Sequence, residues 1–281
     1  MGDYNLTPRD CFGAILGLSI LVCSAYKSRY NTKQELSFAA ERTSVCFIED
    51  KKIQMTDLTG FIPRKRPGQT ALNGCYIDME PLEWDLHGTE LTQHVAGIDN
   101  ANLWTFVPIG PFDDLAAMQA VMSYVGAQFE WEIMAVKSKS SGKVLGTASY
   151  MRIREMHGSA EVGCVVFGQA LQKTREATEV IYLMAKHVFE NLGYRRLEWK
   201  CHNDNDASKQ AALRFGFTFE GEFRNDMVMK GKNRDTAWFS MIDTEWSALS
   251  AVYQAWLDPS NFDNSGQQKQ SLSDLLGISG S

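Results

Sequence analysis

The fold of this 281-residue chain is decided by residues 160–221, which read AEVGCVVFGQALQKTREATEVIYLMAKHVFENLGYRRLEWKCHNDNDASKQAALRFGFTFEG. A short apolar run at Ser159–Phe167 predicts a buried strand, and apolar residues at helical spacing predict a helix over residues 174–192. Arg196–His202 predicts a second strand, and residues 205–215 predict a second helix. This alternation indicates an α/β arrangement.

The residues on both sides of this segment continue the pattern. Residues 217–223 and 236–243 predict two more strands after it. Before it, the sequence predicts three strands, at residues 74–80, 130–136 and 143–150, and two helices, at residues 83–98 and 112–125. A run of strands followed by alternating strands and helices indicates a three-layer α/β domain around a mixed sheet.

Composition excludes several classes of protein. Apolar residues make up 44% of the chain, which is enough to build a core, so wholesale disorder is excluded. The formal net charge of −6 disfavours nucleic acid as the main partner, because an acidic chain gains little from releasing phosphate counterions. The six cysteines are scattered without a paired spacing. They predict reduced thiols, no metal centre and a cytoplasmic location.

The chain is expected to divide into four parts: an N-terminal extension at residues 1–54, an extended lead-in at 55–72, the α/β domain at 73–256, and a polar, flexible tail at 257–281. Residues 11–26 form the one long apolar run, CFGAILGLSILVCSAY. This run is shorter than the roughly 20 residues of a membrane-spanning helix, although it matches the apolar part of a signal peptide. We favour a soluble appendage or an over-extended gene model, with secretion or membrane anchoring as the alternative.

A cationic loop precedes the predicted helix at residues 174–192. Unpaired N–H groups and the helix dipole make such a helix start an anion-binding site. Lys173 and Arg175 add positive charge there. In the alternative interpretation these cations only keep a surface loop soluble.

Five short motifs carry a family resemblance. They are Glu161-Val162-Gly163, Gln172 with Ala177-Thr178-Glu179, Leu192-Gly193-Tyr194-Arg195-Arg196, Asn205-x-x-Ser208 and Gly216-Phe217-x-x-Glu220-Gly221. In this order and spacing the chain resembles the GCN5-related N-acetyltransferase (GNAT) superfamily, and within it the RimJ/RimL-type branch. The resemblance is best over residues 143–246 and extends loosely back to residue 74.

The resemblance implies a three-layer α/β fold in which a mixed, mostly antiparallel sheet has splayed middle strands and helices on both faces. It implies acetyl-CoA as co-substrate, without a metal, bound between residues 161–167 and Arg196–His202. The expected contacts are the backbone of Val165, Val166 and Phe167 for the pantetheine arm, Gln172, Lys173, Thr174, Arg175, Glu176 and Ala177 for the pyrophosphate, and Asn205 and Ser208 beside the thiol. The implied activity is acetyl transfer to a primary amine, of a protein N-terminus or a small molecule, by direct attack in a ternary complex. The expected oligomeric state is a monomer or a homodimer.

Two residues are candidates for the base that keeps the attacking amine neutral near pH 7. Glu161 begins one splayed strand and is the first candidate; a surface ion pair is the alternative. His202 ends the neighbouring strand and is the second, with a loop-edge histidine of no catalytic role as the alternative. The position where many family members carry a tyrosine acid corresponds to Ala212. A thiol with an ordinary pKa of about 8.5 can leave without that acid.

The loop departs from the family pattern, because the family's glycines fall on Lys173 and Arg175. In one interpretation these side chains replace lost N–H contacts and coenzyme A binding is retained. In the other, the protein is a non-catalytic acyl-CoA-binding or regulatory module. The acidic net charge favours a cationic amine as acceptor, and a small biosynthetic amine fits as well.

Overall fold

The structure, a computed structural model, describes residues 56–277, so the apolar run at residues 11–26 lies outside the described part. The strands are β1 (Leu72–Asn73), β2 (Ile77–Pro81), β3 (Glu132–Ser138), β4 (Val144–Arg154), β5 (Ser159–Phe167), β6 (Arg196–His202), β7 (Thr218–Met229) and β8 (Lys232–Ile242). The helices are α1 (Thr89–Val95), α2 (Leu115–Phe129), α3 (Arg175–Lys186), α4 (Asp206–Arg214), α5 (Asp243–Leu257) and α6 (Leu272–Leu275).

The eight strands form a single sheet in the order β1-β2-β3-β4-β5-β6-β8-β7. Every neighbouring pair is antiparallel except β5 and β6, which are parallel because the crossover through α3 connects them. Their pairing joins only residues 159–162 to residues 196–199, and the remaining residues of the two strands diverge. The predicted α/β fold, with a mostly antiparallel sheet and splayed middle strands, is confirmed.

Helices cover both faces of the sheet. On one face, α3 buries Val180, Ile181 and Met184 completely in the larger core, which also includes side chains of α5. On the other face, a smaller core gathers residues of α1 and α2 with the buried Trp104. Each fully buried apolar side chain contributes roughly 1.5–3 kcal/mol, so α3 is fixed between the sheet and α5.

A carboxylate of α3 fixes the helix to the turn between β1 and β2. The two side-chain oxygens of Glu179 accept hydrogen bonds from the N–H groups of Cys75 (2.6 Å), Tyr76 (2.7 Å) and Ile77 (2.9 Å). Gly74 permits this approach, because a Cβ at that position would lie 2.5 Å from the carboxylate. The motif residue Glu179 therefore has a structural role at the beginning of the sheet.

Two predicted helices differ in detail from the structure. The helix expected at residues 83–98 is divided into the wide turn Trp84–Gly88, α1, and the 3-10 helix Ile98–Trp104. Gly97 causes the second break, because its φ of 81° is incompatible with a continuing right-handed helix. The helix expected at residues 174–192 is α3 followed by the wide turn His187–Asn191.

The C-terminal part of the chain also differs from the expectation. Strands β7 and β8 form a long hairpin that extends well beyond the predicted strands. Part of the expected flexible tail folds against α5: the Trp256 indole donates to Gln268 Oε1 (3.0 Å), and Leu272 of α6 is completely buried. The polar composition of this segment did not predict that it is ordered, because its order depends on a few buried side chains.

Candidate active site

A cavity of about 1790 Å³ opens where β5 and β6 diverge. All the residues predicted to contact a ligand line it: Val165, Val166, Phe167, Gln172, Lys173, Thr174, Arg175, Glu176, Ala177, Asn205 and Ser208. The proposed base Glu161 lines it as well. His202 does not belong to the lining. The structure therefore gathers residues separated by up to 47 positions in sequence around one cavity.

A β-bulge shapes the wall of this cavity. Between the pairs Ser149–Gly163 and Thr147–Val166, both Cys164 and Val165 of β5 lie opposite Ala148 alone. Cys164 has a φ of 45°, a left-handed conformation that costs a non-glycine residue of order 1–3 kcal/mol. A bulge redirects backbone groups out of the strand ladder. Burial raises the pKa of the Cys164 thiol to about 12, so this side chain does not supply a thiolate nucleophile.

The loop before α3 presents N–H groups to the cavity. Within residues 56–277, the backbone N–H groups of Lys173, Thr174, Arg175 and Glu176 have no protein acceptor. Thr174 caps the helix by accepting a hydrogen bond from Ala177 N (3.1 Å). Free N–H donors at a helix start are the arrangement by which helices bind anions.

Lys173 adopts the backbone conformation that a glycine would otherwise supply. Its φ is 58°, in the left-handed region. The Gln172 side-chain amide holds the loop by donating to Phe167 O (2.8 Å), and the buried Leu171 anchors it below. The loop thus keeps a glycine-type turn without glycine, at a local cost in strain.

Two arginines are held near this loop by aromatic rings. The guanidinium of Arg175 lies 4.2 Å from the ring centre of Tyr76 and 5.5 Å from that of Phe262. Arg214, at the end of α4, donates to Thr178 Oγ1 (3.2 Å) and also lines the cavity. Burial lowers the pKa of Arg214. Sequence reasoning missed Arg214, although a cation in the last turn of a helix after the Asn-x-x-Ser motif was visible.

The start of α4 forms the opposite wall. Asn205 caps the helix by accepting from Ser208 N (3.1 Å), and Ser208 Oγ accepts a hydrogen bond from the Trp199 indole (3.0 Å). Ala212 is completely buried in the core, and Ala211 lines the cavity instead. No tyrosine occurs among the cavity-lining residues of the described part.

Glu161 is a buried carboxylate that pairs with one half-exposed and one buried cation. Its carboxylate Oε2 lies 2.5 Å from Arg152 Nη1 and 3.0 Å from Lys200 Nζ, and its side chain is 4% exposed. Oε1 has no hydrogen-bond donor within residues 56–277 and points towards Gly163. One oxygen is therefore fixed by cations, and the other has no hydrogen-bond partner among the described residues.

His202 occupies a different environment. Its Nδ1 accepts a hydrogen bond from Asp204 N (3.1 Å), and its ring packs 5.4 Å from that of Phe106. Because it does not line the cavity, its arrangement fits a loop-edge histidine better than a base.

Aromatic and cationic side chains form another part of the cavity lining. Phe106, Phe129 and Trp131 line it, together with Arg152 and Arg234. The last two were not singled out in the sequence, because nothing in their spacing relates them to Glu161. Within residues 56–277, no group of three or more His, Cys, Asp or Glu side chains could hold a metal ion. In the same residues, no helix has the length and apolar content needed to cross a bilayer.

The chain is similar to known proteins over this region. The family model described as "Acetyltransferase (GNAT) domain" matches residues 91–218. The uncharacterized N-acetyltransferase YoaA of Bacillus subtilis (strain 168) is 27% identical over 107 residues, which are 38% of this chain and 60% of YoaA. The match thus spans about three fifths of that relative.

Two solved structures are more similar. A GCN5-related N-acetyltransferase from Brucella melitensis is 42% identical with a TM-score of 0.75, and the match covers 78% of this chain and 99% of that one. A probable acetyltransferase of the GNAT family from Chromobacterium violaceum is 39% identical with a TM-score of 0.65, over 69% of this chain and 96% of that one.

Proposed function

Because the chain belongs to the GCN5-related N-acetyltransferase family, we propose that it transfers an acetyl group from acetyl-CoA to a primary amine. The family is one of acyltransferases, as the resemblance led us to expect. The observation that carries the proposal is the wedge between β5 and β6, where pairing ends at Val162 and Trp199 and the cavity begins. An extended ligand arm can enter a sheet only where two strands part.

The residues around the wedge fit a ligand that carries phosphates and a long, mostly apolar arm. Four free N–H groups and the cations Lys173, Arg175 and Arg214 surround the helix start. Guanidinium groups bind phosphate oxygens with two parallel hydrogen bonds. Lys173 and Arg175, which stand where the family has glycines, thus add charged donors to the free N–H groups, and this supports retained coenzyme A binding.

Acetyl transfer requires a site for the negative charge that develops on the carbonyl oxygen. We assign this role to a backbone N–H near Val165, beside the bulge at Cys164. A donor aimed in advance at this position is worth about 3–4 kcal/mol in a site that excludes water. Direct attack by the amine avoids an enzyme-bound acyl group, in keeping with the high pKa of Cys164.

The amine loses a proton before or during its attack. Glu161 Oε1 is the acceptor we propose, directly or through one water, because this oxygen is free while Oε2 is held by Arg152 and Lys200. The leaving thiol departs as thiolate, since no tyrosine lines the described cavity.

The finer assignments are also proposals. The five ordered motifs support the RimJ/RimL-type branch, and the scattered cysteines support a cytoplasmic location. The division of the chain at residues 55–72 and 73–256 follows the composition and the strand and helix pattern of the sequence.

Calorimetry with acetyl-CoA, followed by thiol release across a panel of primary amines, tests the proposal. We expect micromolar binding and turnover with at least one class of amine. Absence of acetyl-CoA binding by folded protein contradicts the proposal. Binding without thiol release for any amine instead supports a non-catalytic acyl-CoA-binding module.

A further inference from the structure

Arg234 is a buried arginine for which the proposed chemistry has no role. It lies near the start of β8, is 7% exposed and lines the cavity. Its Nε donates to Thr236 Oγ1 (3.1 Å), and Nη1 lies 3.8 Å from the sulfur of Met229. Neither partner carries a charge, so the guanidinium is withdrawn from water without neutralisation.

Three arginines on the neighbouring strands β4 and β6 have carboxylate partners. Arg152 pairs with Glu161, Arg154 with Glu198, and Arg196 with Glu198 and Glu220. For Arg234, no carboxylate lies within 4.0 Å in the part of the chain that the structure describes. An unpaired buried charge costs several kcal/mol, a cost that a ligand can remove.

The nearest acidic group cannot neutralise Arg234. Glu161 already pairs with Arg152 and Lys200. Glu198, the second partner of Lys200, also pairs with Arg154 and Arg196, so cations outnumber carboxylates in this network before Arg234 is counted. The chain as a whole carries a net charge of −6. A local excess of positive charge in an acidic protein is a specific feature of this cavity.

Arg234 lies on the opposite face of the sheet from the elements assigned to the nucleotide. Side chains alternate between faces along a strand, so Lys200 faces away from Trp199, which contacts Ser208 of α4. Lys200 packs on Trp238, and Trp238, Thr236 and Arg234 share a face of β8. Arg234 therefore lies on the face of the sheet away from the pyrophosphate loop, and that face is left for the acceptor.

We propose that Arg234 binds a carboxylate of the acceptor, so that the substrate is an amine that also carries a carboxylate group. The inference rests on the proposed acetyl transfer. A guanidinium holds a carboxylate by two parallel hydrogen bonds and thereby orients the amine. Net charge favours a cationic acceptor, but the local charges decide binding at contact distance.

Matched pairs of amines test this inference. Each amino acid is compared with its decarboxylated counterpart, phenylalanine with phenethylamine and methionine with 3-(methylthio)propylamine. We expect kcat/KM to be at least about tenfold higher for the amino acid than for its decarboxylated counterpart, which is the gain typical of one charge-assisted contact. In Arg234→Gln this preference falls below about twofold. In Arg234→Lys the preference is intermediate, because lysine keeps the charge but lacks the two parallel donors of the guanidinium.

Arg224→Gln is the matched control, because Arg224 is exposed on β7 and does not line the cavity. The control should keep the full preference. The absence of a wild-type preference for the amino acids over the decarboxylated amines, or an unchanged preference in Arg234→Gln, overturns the inference while acetyl transfer itself stands. Unchanged acetyl-CoA affinity in Arg234→Gln shows that the variant is folded.

A binding measurement separates this inference from the proposed function. With coenzyme A present, calorimetry compares N-acetylphenylalanine with N-acetylphenethylamine. Tighter binding of the first compound that is lost in Arg234→Gln supports a carboxylate site even if no amine is acetylated. Equal binding of the two compounds, or no binding of either, overturns it.

Discussion

The ammonium group of Lys200 lies 3.0 Å from Oε2 of Glu161, and the same nitrogen lies 2.6 Å from Oε2 of Glu198. Glu161 and Glu198 are direct partners in the parallel pairing of β5 and β6. Without a cation between them, two like charges on adjacent strands would repel each other. Lys200, 2% exposed, therefore holds the strands together just before they part.

Acid should weaken the fold through Glu198. Burial raises the pKa of Glu198, but the hydrogen bonds and charges of Lys200 and Arg196 outweigh burial, and the net pKa lies below its usual value of 4.5. The stabilisation is therefore complete above pH 4.5 and is lost as the pH falls through the folded-state pKa. Urea unfolding should give a lower free energy of unfolding in acid than at pH 7. Glu198→Gln should be less stable at pH 7 and less sensitive to acid; an equally steep loss would contradict this.

Glu161→Gln should slow acetyl transfer. Replacing the carboxylate removes the proton acceptor, and loss of a positioned base costs about 10²–10⁴-fold in rate. Steady-state kinetics should show a lower kcat, while calorimetry shows little change in acetyl-CoA affinity. Glu222→Gln, an exposed change on β7, is the control and should keep the wild-type rate. A wild-type kcat in Glu161→Gln would exclude Glu161 as the base.

Lys173→Gly should stabilise the protein but weaken coenzyme A binding. Glycine adopts the φ of 58° without the strain of about 1–3 kcal/mol that a side chain meets there. This gain exceeds the roughly 0.4–1 kcal/mol that the greater entropy of the unfolded chain costs. The same change removes a cation from the loop. Lys173→Ala is the matched control, because it removes the charge and keeps the strain. Calorimetry should show equal losses of affinity, and thermal unfolding should show a higher Tm only for glycine.

Glu179→Gln should destabilise the fold severely. An amide offers one acceptor oxygen where three backbone N–H groups now donate to a carboxylate, and its own N–H group would face these donors. Each unsatisfied donor costs about 1–3 kcal/mol. Glu83→Gln, an exposed change, should leave urea unfolding unchanged. Similar midpoints for the two variants would refute a structural role for Glu179.

The sequence predicted the strands and helices whose pattern lies within a few consecutive residues, and missed those that depend on distant partners. Ser159–Phe167 and Arg196–His202 were predicted with the observed limits, because each is a short run bounded by polar residues. The outer half of β7 was missed, since most of its residues are exposed and only pairing with β8 orders them. Helix α5 lay beyond the last motif and was not predicted.

The candidate site likewise contains residues that a sequence motif can identify and residues that it cannot. The loop residues from Gln172 to Ala177 are contiguous, so a motif could identify them. Arg234 lies 73 positions after Glu161 and reaches the same cavity only through the sheet order β5-β6-β8. No spacing rule connects such residues, and the sequence could indicate neither the excess of positive charge nor its position.

The last residues of the chain have a practical consequence for anyone who trims it. Phe262 packs on Arg175, and Gln267 lines the same cavity, so the segment after α5 forms an outer wall of the candidate phosphate site. Because its composition is polar, this segment could be taken for a dispensable tail and be deleted or fused to a purification tag. A protein shortened at residue 258 would expose Arg175 to bulk solvent, and its ligand affinity would no longer represent that of the intact chain.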